Sequence, residues 1–101
     1  MMDLLADIEN GRQRGHSTYL KIDSEMYLCG AAIQKYEDRY KVHIYQIMEQ
    51  KMAAEDYDFC HYKDFLTIEE AILWINQNSR IKFEAFRRLK GQKMFNPALD
   101  K

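Results

Sequence analysis

Between Ser17 and Tyr62 the chain repeats one pattern: short runs of alternating apolar and polar residues, each closed by a cluster of polar, mostly acidic residues. Ser17 to Asp23 carries Leu20 and Ile22 at period-two spacing before Asp23-Ser24-Glu25. Met26 to Tyr36 is rich in apolar and β-forming residues around Gly30, before Glu37-Asp38-Arg39. Tyr40 to Gln50 alternates Val42, Ile44 and Met48 against His43, Tyr45 and Ile47, and Lys51 to Asp56 breaks the run before Tyr57 to Tyr62 resumes it. Successive strand side chains point to opposite faces, so four such runs joined by turns predict an antiparallel meander. Tyr40–Gln50, apolar on both faces, belongs at its centre. Gly30 suits a bulge or a place beneath a close-packed neighbour.

The flanks follow the helical period. Leu4, Leu5 and Ile8 give a short amphipathic helix over Asp3–Glu9, ending before Asn10-Gly11. Thr67-Ile68-Glu69-Glu70 matches the capping box that starts a helix. Ile68, Ala71, Ile72 and Ile75 then form a stripe able to cover one face of a sheet, with Trp74 nearer its edge. Phe83, Phe86 and Leu89 predict a second, shorter helix stopping at Gly91, and Lys93 to Pro97 looks extended enough to add an edge strand. Helix, four strands, then two helices argues for an α+β fold: a four-stranded antiparallel sheet, open to a fifth strand, with helices packed on one face. Tyr19, Tyr27, His43, Tyr45, Tyr57 and Phe59 would then share the other face, if the register allows.

A chain of 101 residues has room for one domain and one site. No apolar run reaches the length of a membrane span, and the opening Met1-Met2-Asp3-Leu4-Leu5-Ala6-Asp7 carries acids where a secretory leader carries cations, so a cytoplasmic location is expected. Cys29 and Cys60 fall in strand segments and read as reduced packing residues. His16, His43 and His61 show no zinc-ligand spacing, neither cysteine belongs to a C-x-x-C pair, and glycines at 11, 15, 30 and 91 make no phosphate loop. Adjacent Cys60 and His61 point to opposite faces, and a site joining Cys29, Cys60 and His43 would need the fold to assemble it. No catalytic set, metal site or cofactor is expected, and the chain reads as a binding protein.

Charge is segregated along the chain. Residues 1–79 hold eight Lys or Arg against fourteen Asp or Glu, and residues 80–101 hold seven against two. The asymmetry marks either a surface for a charged partner or two segments that pack against each other. Arg80, Lys82, Arg87, Arg88, Lys90 and Lys93 could track phosphates while Phe83, Phe86 or Phe95 stack on bases. A sequence pI near 6.3 and the helical spacing of the phenylalanines argue against that nucleic-acid reading.

Phe65-Leu66-Thr67-Ile68-Glu69-Glu70-Ala71-Ile72-Leu73-Trp74-Ile75, followed by Leu89-Lys90-Gly91-Gln92-Lys93-Met94-Phe95-Asn96-Pro97, resembles a group of small bacterial immunity proteins, the antidotes of polymorphic toxin and contact-dependent growth inhibition systems. The resemblance covers about a third of the chain and rests mainly on the tail motif. It implies a stoichiometric inhibitor that binds the toxin domain of a sibling cell, often a nuclease, and blocks its active site or substrate surface. Such a protein needs acids that steer toward a cationic surface and aromatic anchors that desolvate on contact. Glu37, Asp38, Glu55, Asp56 and Asp58 are the candidates for steering, and Tyr36, Tyr40 and Tyr57 for anchoring, because they border turns and strand ends.

Overall fold

The structure, a computed structural model, describes residues 2–89 and 93–98. Its elements are α1 (Met2–Glu9), β1 (Arg14–Ile22), β2 (Glu25–Tyr36), β3 (Arg39–Met48), β4 (Phe59–Phe65), α2 (Ile68–Asn78) and β5 (Arg87–Arg88), with 3₁₀ turns at Glu49–Lys51 and Phe83–Ala85. All strand pairs are antiparallel, in the order β4-β3-β2-β1-β5. The meander and the α+β class are as the alternation predicts, and β3 is central.

Two-residue turns fix the register. Ile22 pairs with Glu25 around Asp23-Ser24, and Tyr36 with Arg39 around Glu37-Asp38. All four turn residues have positive φ, 49° and 71° in the first turn and 51° and 62° in the second. This is the left-handed geometry of tight hairpin turns, built here without the usual Gly or Asn. A one-residue slip would exchange the two faces of the sheet, so these turns decide which side chains enter the core.

The core lies on the helix-covered face. Cys29, Ala31 and Ile33 from β2 and Tyr40, Val42 and Ile44 from β3 meet Ile8 of α1 and Ala71 and Ile75 of α2, with Ile81, Phe83 and Phe86 completing the cluster. Helix α1 stops in a Schellman motif: Gly11 N–H donates to Ile8 O (3.0 Å) and Arg12 N–H to Asp7 O (3.0 Å), with Gly11 at φ 84°. Helix α2 starts at Thr67, whose Oγ1 accepts from Glu70 N–H (3.2 Å) and donates to the Glu70 carboxylate (3.1 Å). Trp74 tilts against Phe65 near the β4 edge, with Lys63 Nζ 5.9 Å above its ring.

Three expectations are corrected. Residues 83–88 form a 3₁₀ turn and then β5, which pairs with β1 at Arg14 and Gly15, so the fifth strand is Arg87–Arg88 and not Lys93–Pro97. Phe83 and Phe86 do bury, but from an irregular segment, because a spacing of three serves a 3₁₀ turn as well as a helix. Gly91, the expected cap, lies outside the described residues. Finally, Tyr27 and Phe59 pack against the core cluster on the helix side, leaving Tyr19, His43, Tyr45 and Tyr57 for the second face.

Candidate partner-binding surface

The second face is built in two halves. In the first, His43 and Tyr62, paired across β3 and β4, stack at 4.3 Å and 11°. Phe95 from the tail packs over both, at 5.8 Å and 6.4 Å. One side chain holds this cover in place. Gln13 Oε1 accepts from the N–H groups of Met94 (2.7 Å) and Phe95 (3.3 Å), and Gln13 Nε2 donates to Phe95 O (2.8 Å) and Gln34 Oε1 (2.9 Å). Gln34 Nε2 in turn donates to Gly11 O (2.9 Å). Phe95 and Pro97, from the motif that carries the immunity-protein resemblance, are buried here. Their work is to close the sheet.

The second half is open. A Cβ on Gly30 would lie 2.4 to 2.6 Å from Cε2, Cζ and Oη of Tyr45, so the missing side chain is what lets this ring lie across β2. The Tyr45 hydroxyl hydrogen-bonds Ser17 on β1, and burial, the largest influence, keeps its pKa above the usual tyrosine value. Tyr57 meets Tyr45 edge-on at 6.1 Å. Tyr19 donates to Met52 Sδ at 3.9 Å, and Tyr19 and Tyr57 remain 47% and 42% exposed.

Acids gather at this end of the sheet on both faces, with Glu25 of β2 and Asp58, held by Gln46, on the helix side. The β1–β2 turn supplies Asp23 and Glu25, and the segment between β3 and β4 supplies Glu49, Glu55, Asp56 and Asp58. Pairing of Tyr27 with Met48 brings the two loops together, and Gln50 Nε2 donates to Glu25 Oε2 at 3.4 Å. Asp58 is fixed to β3 by its N–H to Gln46 O (2.9 Å) and by Gln46 Nε2 to its Oδ2 (2.9 Å), while Lys51 faces Asp56 at 3.8 Å.

The predicted site residues therefore separate. Glu55, Asp56, Tyr57 and Asp58 share the acidic end. Tyr36, Glu37 and Asp38 occupy the β2–β3 turn at the opposite end of β3, roughly 30 Å away at the strand rise. There Tyr36 and Glu37 line a 420 Å³ cleft with Arg39, Lys41, Asp64, Pro97 and Ala98. Tyr40 is not an anchor. It is 7% exposed, and its hydroxyl donates to the Glu9 carboxylate at 2.7 and 2.9 Å, tying α1 to the sheet. Tyr19 and Tyr45, expected on the second face but not among the anchors, stand beside Tyr57 there, and Gly30 vacates the space that Tyr45 fills.

Cys29 is buried on the helix side, where burial raises its pKa, and Cys60 is exposed. Cys60 pairs with Tyr45 on the second face, so the fold does not assemble Cys29, Cys60 and His43 into one site. His43 Nδ1 lies 3.2 Å from His61 O. Among the described residues no group of three or more His, Cys, Asp or Glu could hold a metal, and no helix is long and apolar enough to cross a membrane.

No known family matches the chain, and neither a curated protein nor a solved structure matches it.

Proposed function

We propose that this chain is a stoichiometric protein inhibitor of the immunity type, binding and neutralising a cognate toxin domain, with a nuclease as the partner class best suited. The observation that carries the reading is the acidic end: Asp23, Glu25, Glu49, Glu55, Asp56 and Asp58 beside exposed Tyr19 and Tyr57. A nuclease must present cations to hold phosphates, and an acidic surface competes for those cations directly. Carboxylates at the rim accelerate encounter, and rigid tyrosines supply contact area at low entropic cost. The reading assigns the chain no catalysis and no cofactor; blocking is the whole of its action.

The reading is tested by co-purifying the chain with a toxin domain encoded immediately upstream and titrating that domain's activity. Nanomolar, one-to-one inhibition is expected. Reversing Asp56 and Asp58 to Lys should slow association at least tenfold at low salt, with a smaller effect at high salt. Failure to bind any neighbouring-gene product would overturn the proposal.

A further inference from the structure

The cations of the C-terminal segment serve two different ends. Arg80 Nε donates to Gln46 Oε1 (3.2 Å) and Lys82 Nζ to Asn76 O (2.9 Å), so both are tied into the fold. Arg87, Arg88 and Lys93 are exposed, and among the described residues none of them forms an ion pair, although Arg87 Nε donates to Ala85 O (3.3 Å). The charge asymmetry of the sequence is thus not consumed by packing of the tail against the body. Arg12 joins them: its side chain is 62% exposed and stands 3.8 Å from Asp7, whose carboxylate Arg14 already holds at 2.8 Å.

Arg87 and Arg88 follow one another on β5, opposite Gly15 and Arg14, and so lean to opposite faces of the sheet at its edge. Two clefts adjoin it and share Leu89: one of 430 Å³ lined by Arg87, Arg88, His16 and Ser17, and one of 350 Å³ lined by Arg12 and Lys93 among others. Ser17 is two positions along β1 from Gly15, the partner of Arg87, a separation of about 7 Å at the strand rise. Ser17 also holds Tyr45. Cations at the edge therefore adjoin an aromatic ring on the face beside it.

We propose that this edge binds the phosphate backbone of single-stranded nucleic acid, with Arg87 and Arg88 holding one phosphate position, Arg12 and Lys93 another, and a base stacking on Tyr45. Two neighbouring basic clefts that share Leu89 suit a chain of phosphates better than one compact anion, and an adjacent aromatic ring is the second part that single-strand sites use. A duplex would extend its charge over the acidic end, on the same sheet, and be repelled. Phe83, Phe86 and Phe95 are buried and do not stack on bases; the stacking residue is a tyrosine, and the cations are local to one edge of a chain whose overall pI is near 6.3. Tyr45 borders both proposed sites, but Arg87 and Arg88 lie outside the acidic end, so variants at those two residues leave toxin inhibition intact and the two proposals fail independently.

The experiment is fluorescence anisotropy of labelled oligo-dT and oligo-U with the full chain, from about 25 to about 150 mM salt. Binding is expected at low salt and should weaken steeply as salt rises. R87A/R88A should reduce affinity at least tenfold and lower the log–log salt slope by about 0.7, the share of one single-strand phosphate. Tyr45→Leu should weaken binding with the slope unchanged, separating stacking from charge. Circular dichroism melts of R87A/R88A should match the parent because both residues are exposed. No anisotropy change at low salt, unchanged binding by R87A/R88A, or equal displacement by poly-glutamate at matched charge would each overturn the proposal, the last by assigning the edge to an acidic protein.

Discussion

The two halves of the second face share β3 and hold three rings each, yet one is sealed and the other is not. Around His43 and Tyr62 the chain supplies its own cover, Phe95, clamped by Gln13. Around Tyr45 it supplies none, and Tyr19 and Tyr57 stay near half exposed. Aromatic density alone therefore does not mark a binding surface; what distinguishes the open half is that its rings are positioned by Gly30 and Ser17 without being covered. The comparison also locates the immunity-protein resemblance. The described part of its tail motif lies in the cover, so it speaks to how the sheet is closed, while the proposed partner contacts lie outside it.

The sharpest way to break this contrast is to truncate one ring from each half. Phe95→Ala should cost about 3 to 4 kcal/mol in urea unfolding, whereas Tyr57→Ala should cost under about 0.5 kcal/mol. Tyr57→Ala should instead weaken toxin binding about thirtyfold or more, as loss of an interface hot spot does. Comparable stability losses in the two variants would show that the open half is core. Next in size, Gln13→Ala removes the acceptor for Met94 and Phe95 N–H and should cost about 2 kcal/mol. Gly30→Ala brings a methyl group against Tyr45 and should cost about 1 to 3 kcal/mol, with the Tyr45 ring signals shifting in proton NMR.

The smallest expected effect lies on the helix side and is a control. Hydrogen bonds from Tyr40, then Lys35, hold the Glu9 carboxyl below its usual pKa. A depressed carboxylate contributes stability that is present above its unfolded pKa and lost as pH falls through the folded value. The stability gap between the parent and Glu9→Gln should therefore be modest at neutral pH and vanish in acid. A gap that widened in acid would reject this account of the α1 anchor.

Much of the fold was legible in the sequence because its signals are local: period-two runs, the Thr67 cap, and the stripe from Ile68 to Ile75. What was illegible depended on distance or register. Tyr27 and Tyr40 were misplaced because turns made from Asp23-Ser24 and Glu37-Asp38 do not announce their two-residue length as Asn-Gly would, and Phe59 because the long segment before β4 leaves its register open. The Gln13 clamp was invisible because it joins residues 82 positions apart. Half of the acidic site was readable as Glu55 to Asp58, but only strand pairing brings Asp23, Glu25 and Tyr19 beside it.

The reach of that clamp also orders events in time. The hairpins close around two-residue turns, whereas Gln13 must find Phe95 across nearly the whole sequence, a loop whose closure cost is met only after the strands have formed. Tail docking is then expected on the native side of the folding barrier, giving Phe95 a φ-value near zero and making Phe95→Ala accelerate unfolding while leaving the folding rate almost unchanged. Until the tail docks, the His43–Tyr62 stack lacks its Phe95 cover, and a chain with its tail undocked offers two bare aromatic halves where the native protein offers one.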